Sequence, residues 1–96
     1  MIRIVKMTFK PHCVSEFLEN FEHNKDAIRN FNGVHHLELL QDKNNTNTYF
    51  TYSIWESEKD LNAYRNSELF KGIWAVTKPM FAEKANAWSV ETIAKL

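Results

Sequence analysis

The run Thr48-Tyr49-Phe50-Thr51-Tyr52-Ser53-Ile54-Trp55 consists, Ser53 apart, of aromatic and β-branched residues, and it reads as a β-strand. Tyr49, Phe50, Thr51, Tyr52, Ile54 and Trp55 make it apolar on both faces, so both sides need cover. Just before it, Asp42-Lys43-Asn44-Asn45-Thr46-Asn47 is rich in turn formers and Val34 to Gln41 alternates weakly, which together give a hairpin. Upstream again, Val14, Phe17, Leu18, Phe21, Ile28 and Phe31 recur at helical spacing, with Glu16, Glu19, Glu22, Lys25 and Arg29 left for water. Asn32-Gly33 suits the left-handed end of that helix. Ile2 to Phe9 is a strand carrying Ile2, Ile4, Val5 and Thr8, and Lys10-Pro11-His12 turns it into the helix.

Downstream, Ser57 is read as an N-cap with Glu58 and Asp60 in the first turn and Leu61 and Tyr64 on one helical face. Ser67 caps a second piece in which Leu69, Phe70, Ile73, Trp74 and Thr77 recur until Pro79 ends the helix. Met80 to Ala85 is irregular, and Ala87 to Ile93 closes the chain as a strand with Trp88, Val90 and Thr92 on one face. The order is β-α-β-β-α-β with the second helix broken in two: an α+β, ferredoxin-like domain with a four-stranded antiparallel sheet. Helices cover one sheet face. The other is apolar and uncovered, and a second subunit of the same chain is the economical cover, giving a homodimer joined through the sheet face.

The 96 residues suit one domain over 1–96. Twelve basic and twelve acidic residues cancel, which leaves no electrostatic footprint for nucleic acid or an anionic membrane. The single cysteine, Cys13, excludes an intramolecular disulfide and a four-cysteine zinc site. The apolar run at the N-terminus is interrupted by Arg3 and Lys6 and is too short to span a membrane, so the expected address is cytoplasmic. Seven Phe, three Trp and three Tyr form a heavy aromatic load, each ring carrying about 150–250 Å² that seeks burial.

The run Tyr49 to Ser57, followed by Leu61, Tyr64-Arg65-x-Ser67, Phe70, Trp74 and Lys78, with Phe81 and Ala87-Trp88-Ser89-Val90, resembles the antibiotic biosynthesis monooxygenase (ABM) domains. The shared β1-α1-Gly-β2 opening extends the resemblance over nearly the whole chain. It implies a dimeric α+β barrel made of two ferredoxin-like sheets. It also implies one of three activities: cofactor-free oxygenation of aromatic polyketide quinols, related quinol oxygenation, or oxidative haem degradation in one branch. The haem-degrading branch uses a first-strand Asn, a helix Trp and a haem-ligating His. Here Lys6 and Met7 occupy the strand, Tyr64 stands at the Trp position, and Trp74 stands close to the His. An indole is donor-only and cannot ligate iron, which disfavours haem. The implied activity is cofactor-independent oxidation of a small quinol- or phenol-type aromatic by O₂, with neither metal nor cofactor. The alternative is a non-catalytic module of the same fold that binds or senses an aromatic ligand. RNA binding shares the element order, but the third strand lacks the Lys/Arg-Gly-aromatic pattern.

Trp55, equivalent in position to a tryptophan of the quinol-oxygenating branch, is a candidate substrate contact as well as a packing residue. Tyr64 and Trp74, on helices facing the sheet, are further candidates for substrate binding, against the plain core role that aromatics at helical spacing usually have. His35 and His36 are adjacent on the second strand, so strict alternation sends one of them to the helix-covered side. There a neutral imidazole would take a proton from the substrate as the catalytic base, the competing reading being an exposed or core histidine. Arg65 stands at a cavity mouth or on the exposed face. Cys13 reads as a structural thiol.

Overall fold

A computed structural model describes residues 1–96. Strand β1 (Ile2–Thr8) leads through a 3₁₀ turn at Pro11–Cys13 into α1 (Val14–Arg29), followed by β2 (Val34–Gln41) and β3 (Thr48–Trp55). Two short helices follow, α2 (Glu58–Arg65) and α3 (Glu68–Thr77), then a 3₁₀ turn at Lys78–Met80 and β4 (Asn86–Val90). The strands form one antiparallel sheet in the order β2-β3-β1-β4, which puts the aromatic β3 and the N-terminal β1 at its centre. This is the α+β, ferredoxin-like arrangement expected from the sequence.

The breaks lie where the local chemistry requires them. Ser57 Oγ accepts from the backbone N–H of Asp60 at 3.2 Å and starts α2; Ser67 Oγ accepts from that of Phe70 at 3.1 Å and starts α3. Pro79 falls within the 3₁₀ turn that ends α3. Gly33 takes φ +91°, the left-handed value that lets the chain reverse from α1 into β2.

The ends of α1 and β4 and the burial of Leu18 differ from expectation. Helix α1 ends at Arg29, two residues before Phe31, whose N–H bonds back only three residues to the Ile28 carbonyl in a tightened last turn. Strand β4 stops at Val90 because its partner β1 begins at Ile2, with which Val90 is registered, so nothing remains to pair with Thr92 and Ile93. Leu18 remains 39 % exposed because it lies at the edge of the α1 stripe, whose centre is marked by the buried Phe17 and Ile28.

Two core clusters sit under the helices. One joins Met7, Phe9, Phe17, Tyr49 and Met80, with the Phe9 and Phe17 rings stacked 4.0 Å apart. The other joins Ile28, Val34, Trp55, Leu61 and Tyr64. Alternation places Arg3, Val5 and Met7 of β1 beside Tyr49, Thr51, Ser53 and Trp55 of β3 on the helix-covered face. The opposite face presents Ile2, Ile4, Phe50, Tyr52, Ile54 and, from the outer strands, Leu40, Trp88 and Val90. Within the chain these last three stay 41 %, 47 % and 39 % exposed. No helix is long and apolar enough to cross a membrane.

Candidate functional site

A cavity of about 630 Å³ separates the helix-covered sheet face from α2 and α3. Its volume falls in the range of small-molecule sites, about 300–1,000 Å³. Fourteen of its twenty-two lining residues are hydrophobic, so burial of apolar ligand surface is the main interaction on offer. The floor is Arg3, Val5 and Met7 of β1 with Thr51, Ser53 and Trp55 of β3; the wall includes Leu61 and Tyr64 of α2 and Phe70, Ile73 and Trp74 of α3. Exposed Asn62, Arg65 and Asn66 on one side and Asn86 on the other form a polar rim.

The aromatic residues form a connected wall. Trp55 is buried, 5.3 Å from Tyr64 between ring centroids; Tyr64 meets Phe70 edge-on at 5.2 Å, and Phe70 stacks on Trp74 at 5.8 Å with planes 13° apart. Trp74 in turn meets Phe81 edge-on. The indole N–H of Trp55 is committed to Ser53 Oγ. The Tyr64 hydroxyl and the Trp74 indole N–H have no protein partner, and because no fully buried side-chain polar atom is unpaired, both keep access to solvent. Burial pushes the Tyr64 phenol up to about 12, so at neutral pH it is a hydrogen-bond donor and not a base. The Trp55, Tyr64 and Trp74 singled out from the sequence are thus brought together in one lining.

The two histidines are not. Neither His35 nor His36 lines the cavity, so no imidazole projects into the helix-covered space as strict alternation required. The reason is a β-bulge between Val34 and His36, which interrupts period two at this point. His35 Nε2 pairs with Glu56 Oε2 at 2.5 Å on the exposed surface; His36 Nε2 pairs with Glu38 Oε2 at 2.5 Å, and its ring meets Tyr52 edge-on on the open sheet face. No histidine, cysteine, aspartate or glutamate lines the cavity, so the donor set that holds a metal ion is lacking there.

The charged residues of the lining are two arginines. Arg3 is half-buried on the sheet floor, its Nη1 donating to Ser89 Oγ at 3.0 Å. Desolvation, and then the charge of Arg65, lower its pKa from the ordinary arginine value, though a guanidinium stays charged in water at any physiological pH. In the sequence Arg3 reads only as a charge that interrupts the apolar run, yet period two puts position 3 on the same face as Val5 and Met7.

The sequence profile of the family described as antibiotic biosynthesis monooxygenase matches residues 1–75. The chain belongs to that family. Among solved structures, an antibiotic biosynthesis monooxygenase superposes with a TM-score of 0.89 at 12 % identity, over 98 % of this chain and 100 % of that one. Rv0793 from Mycobacterium tuberculosis gives 0.89 at 12 % identity over 98 % and 95 %. A conserved protein from Methanosarcina mazei Go1 gives 0.83 at 22 % identity over 94 % and 92 %. At these identities the likeness is one of fold. No curated protein matches the chain in sequence. ABM family proteins are generally dimeric.

Proposed function

We propose that this ABM protein binds a small quinol- or phenol-type aromatic in the cavity beside Trp55 and oxygenates it with O₂ without a cofactor, as a homodimer joined through the open sheet face. The observation that carries the reading is the aromatic wall of Trp55, Tyr64, Phe70 and Trp74 around a mostly apolar space of a size to hold a flat ring system. Family membership supports a monooxygenase-type role.

In such a reaction the ionised substrate is the electron donor. For an anthrone-type substrate the ring CH₂ becomes C=O: one oxygen atom of O₂ enters the carbonyl, the other leaves as water with the two hydrogens, and carbon supplies all four electrons. The protein orients the ring, holds the reacting carbon and O₂ together, and keeps bulk water from the anionic intermediates. Oxygen uptake by the purified protein, measured over a panel of hydroxynaphthalenes and anthrones, tests this. Uptake above buffer with at least one member is expected, and uptake at the buffer rate with every member overturns the enzymatic reading.

One observation favours the second reading, a binding module without turnover: the lining holds no histidine or carboxylate to act as a base. Saturable quenching of tryptophan fluorescence by an aromatic ligand with no product formed distinguishes it.

A further inference from the structure

A cavity that is mostly apolar but carries two guanidinium groups and no acid calls for a counter-charge. Arg3 and Arg65 are the only charged residues in the lining. Neither takes part in any of the chain's ion pairs, which join the N-terminus to Glu91, Lys25 to Glu22, His35 to Glu56 and His36 to Glu38. Arg65 makes no side-chain hydrogen bond, and Arg3 makes one, to the neutral Ser89. The two cations also stand near enough to repel, since the charge of Arg65 disfavours the protonated form of Arg3. The chain as a whole is neutral, with as many acids as bases, so this local excess is not the overspill of a basic surface.

Half-burying a cation beside another cation is unfavourable unless something compensates. The hydrogen-bonding of Arg3 also leaves donors over: a guanidinium carries five N–H groups in a planar fork, suited to a carboxylate or phenolate oxygen. Resting on the reading of the cavity as an aromatic-ligand site, we infer that its ligand is an anion, an aromatic carboxylate or phenolate, seated with its ring against Trp55, Tyr64 and Trp74 and its negative oxygen between Arg3 and Arg65. This also answers the missing base. Two fixed cations favour the ionised form of an acidic phenol in the site, so the proton goes to solvent as the ligand is captured and no side chain in the cavity has to accept it.

The test is a pair of probes matched in ring and size, 2-naphthoate and neutral 2-naphthalenemethanol, titrated against the whole protein at pH 7 with tryptophan fluorescence as the signal. Naphthoate is expected to bind about tenfold or more tightly, the scale of hydrogen bonds to a charged group. Its advantage shrinks as salt is raised, while the alcohol is unaffected. Arg65→Gln, at an exposed helix position that leaves the core untouched, should reduce the preference severalfold. Arg3→Lys, which keeps a charge but not the planar fork, should reduce it less than Arg3→Met. Equal affinity for the two probes, or a preference that survives in the Arg3→Met, Arg65→Gln double variant with its melting temperature retained, overturns the inference and leaves the aromatic site standing. Quenching by neither probe overturns the aromatic site itself, and the inference with it.

Discussion

The indole N–H of Trp55 donates to Ser53 Oγ at 3.0 Å, two residues back on the same face of β3. Both side chains are buried, and the Ser53 hydroxyl is itself directed at the Arg3 carbonyl across the strand pair, at 3.4 Å. The orientation of the Trp55 ring in the cavity floor therefore depends on one hydroxyl. Ser53→Ala leaves a buried N–H without its acceptor, at a cost of roughly 1–2 kcal/mol. For a domain of this size the melting temperature should fall by at least about 4 °C. Ser53→Thr keeps an acceptor on a side chain suited to a strand and should lose less. Equal melting temperatures for wild type and Ser53→Ala would show that the bond contributes nothing.

Tyr64 makes stability depend on alkaline pH. Its phenol ionises near 10 in an unfolded chain and is pushed up to about 12 in the fold by burial. Below pH 10 both states are protonated and stability is at its full value. Between about 10 and 12 the unfolded chain loses the proton while the native one keeps it, so stability falls as pH rises, by up to about 2–3 kcal/mol. Chemical unfolding at pH 9 and pH 11.5 should show that loss in the wild type and a smaller one in Tyr64→Phe. An identical loss in both proteins would place the alkaline sensitivity elsewhere.

Gly33 links the end of α1 to the start of α2. Its φ of +91° is unfavourable for any residue with a Cβ, and a Cβ built there would lie 2.5 Å from the Asp60 Cβ, inside contact distance. Asp60 is the residue that Ser57 caps, so displacing it also disturbs the first turn of α2. Gly33→Ala should destabilise by roughly 1–3 kcal/mol through backbone strain, and by more than that if the cap of α2 is lost too. A denaturant midpoint unchanged within error would contradict this.

Most of the architecture was legible because its determinants are local. The caps Ser57 and Ser67, the breaker Pro79 and the Asn32-Gly33 reversal act within a few residues, and β2 and β3 run over the residues read from their pattern. What was not legible depends on non-local register. The end of β4 is set by where β1 begins, 88 residues earlier by the Ile2–Val90 pairing. The facing of His35 and His36 is set by a bulge that the hydrophobic pattern around Val34 does not announce. The site divides in the same way. The aromatic wall was readable because helical spacing and strand position bring Trp55, Tyr64 and Trp74 to facing surfaces. The paired arginines come from strands and helices far apart in sequence, and only the fold brings them to one cavity.

The open sheet face leads to a prediction about assembly. Trp88, Ile4, Tyr52 and Glu38 lie in one row across the four strands, registered pair by pair from β4 through β1 and β3 to β2. Three of the four are large apolar or aromatic residues on a face that nothing in the chain covers, where a solvated antiparallel sheet would alternate to polar. If a second copy covers this face, Ile4 lies near the middle of the buried area. Ile4→Glu then places a carboxylate in the interface, where it lacks a partner, whereas in a monomer the same side chain reaches water at little cost. Sedimentation equilibrium at micromolar concentration should give twice 11.4 kDa for the wild type and 11.4 kDa for Ile4→Glu, with the far-ultraviolet circular dichroism of the two alike. A wild-type protein sedimenting at 11.4 kDa would rule out the dimer. A variant that remains dimeric would move the interface to another surface.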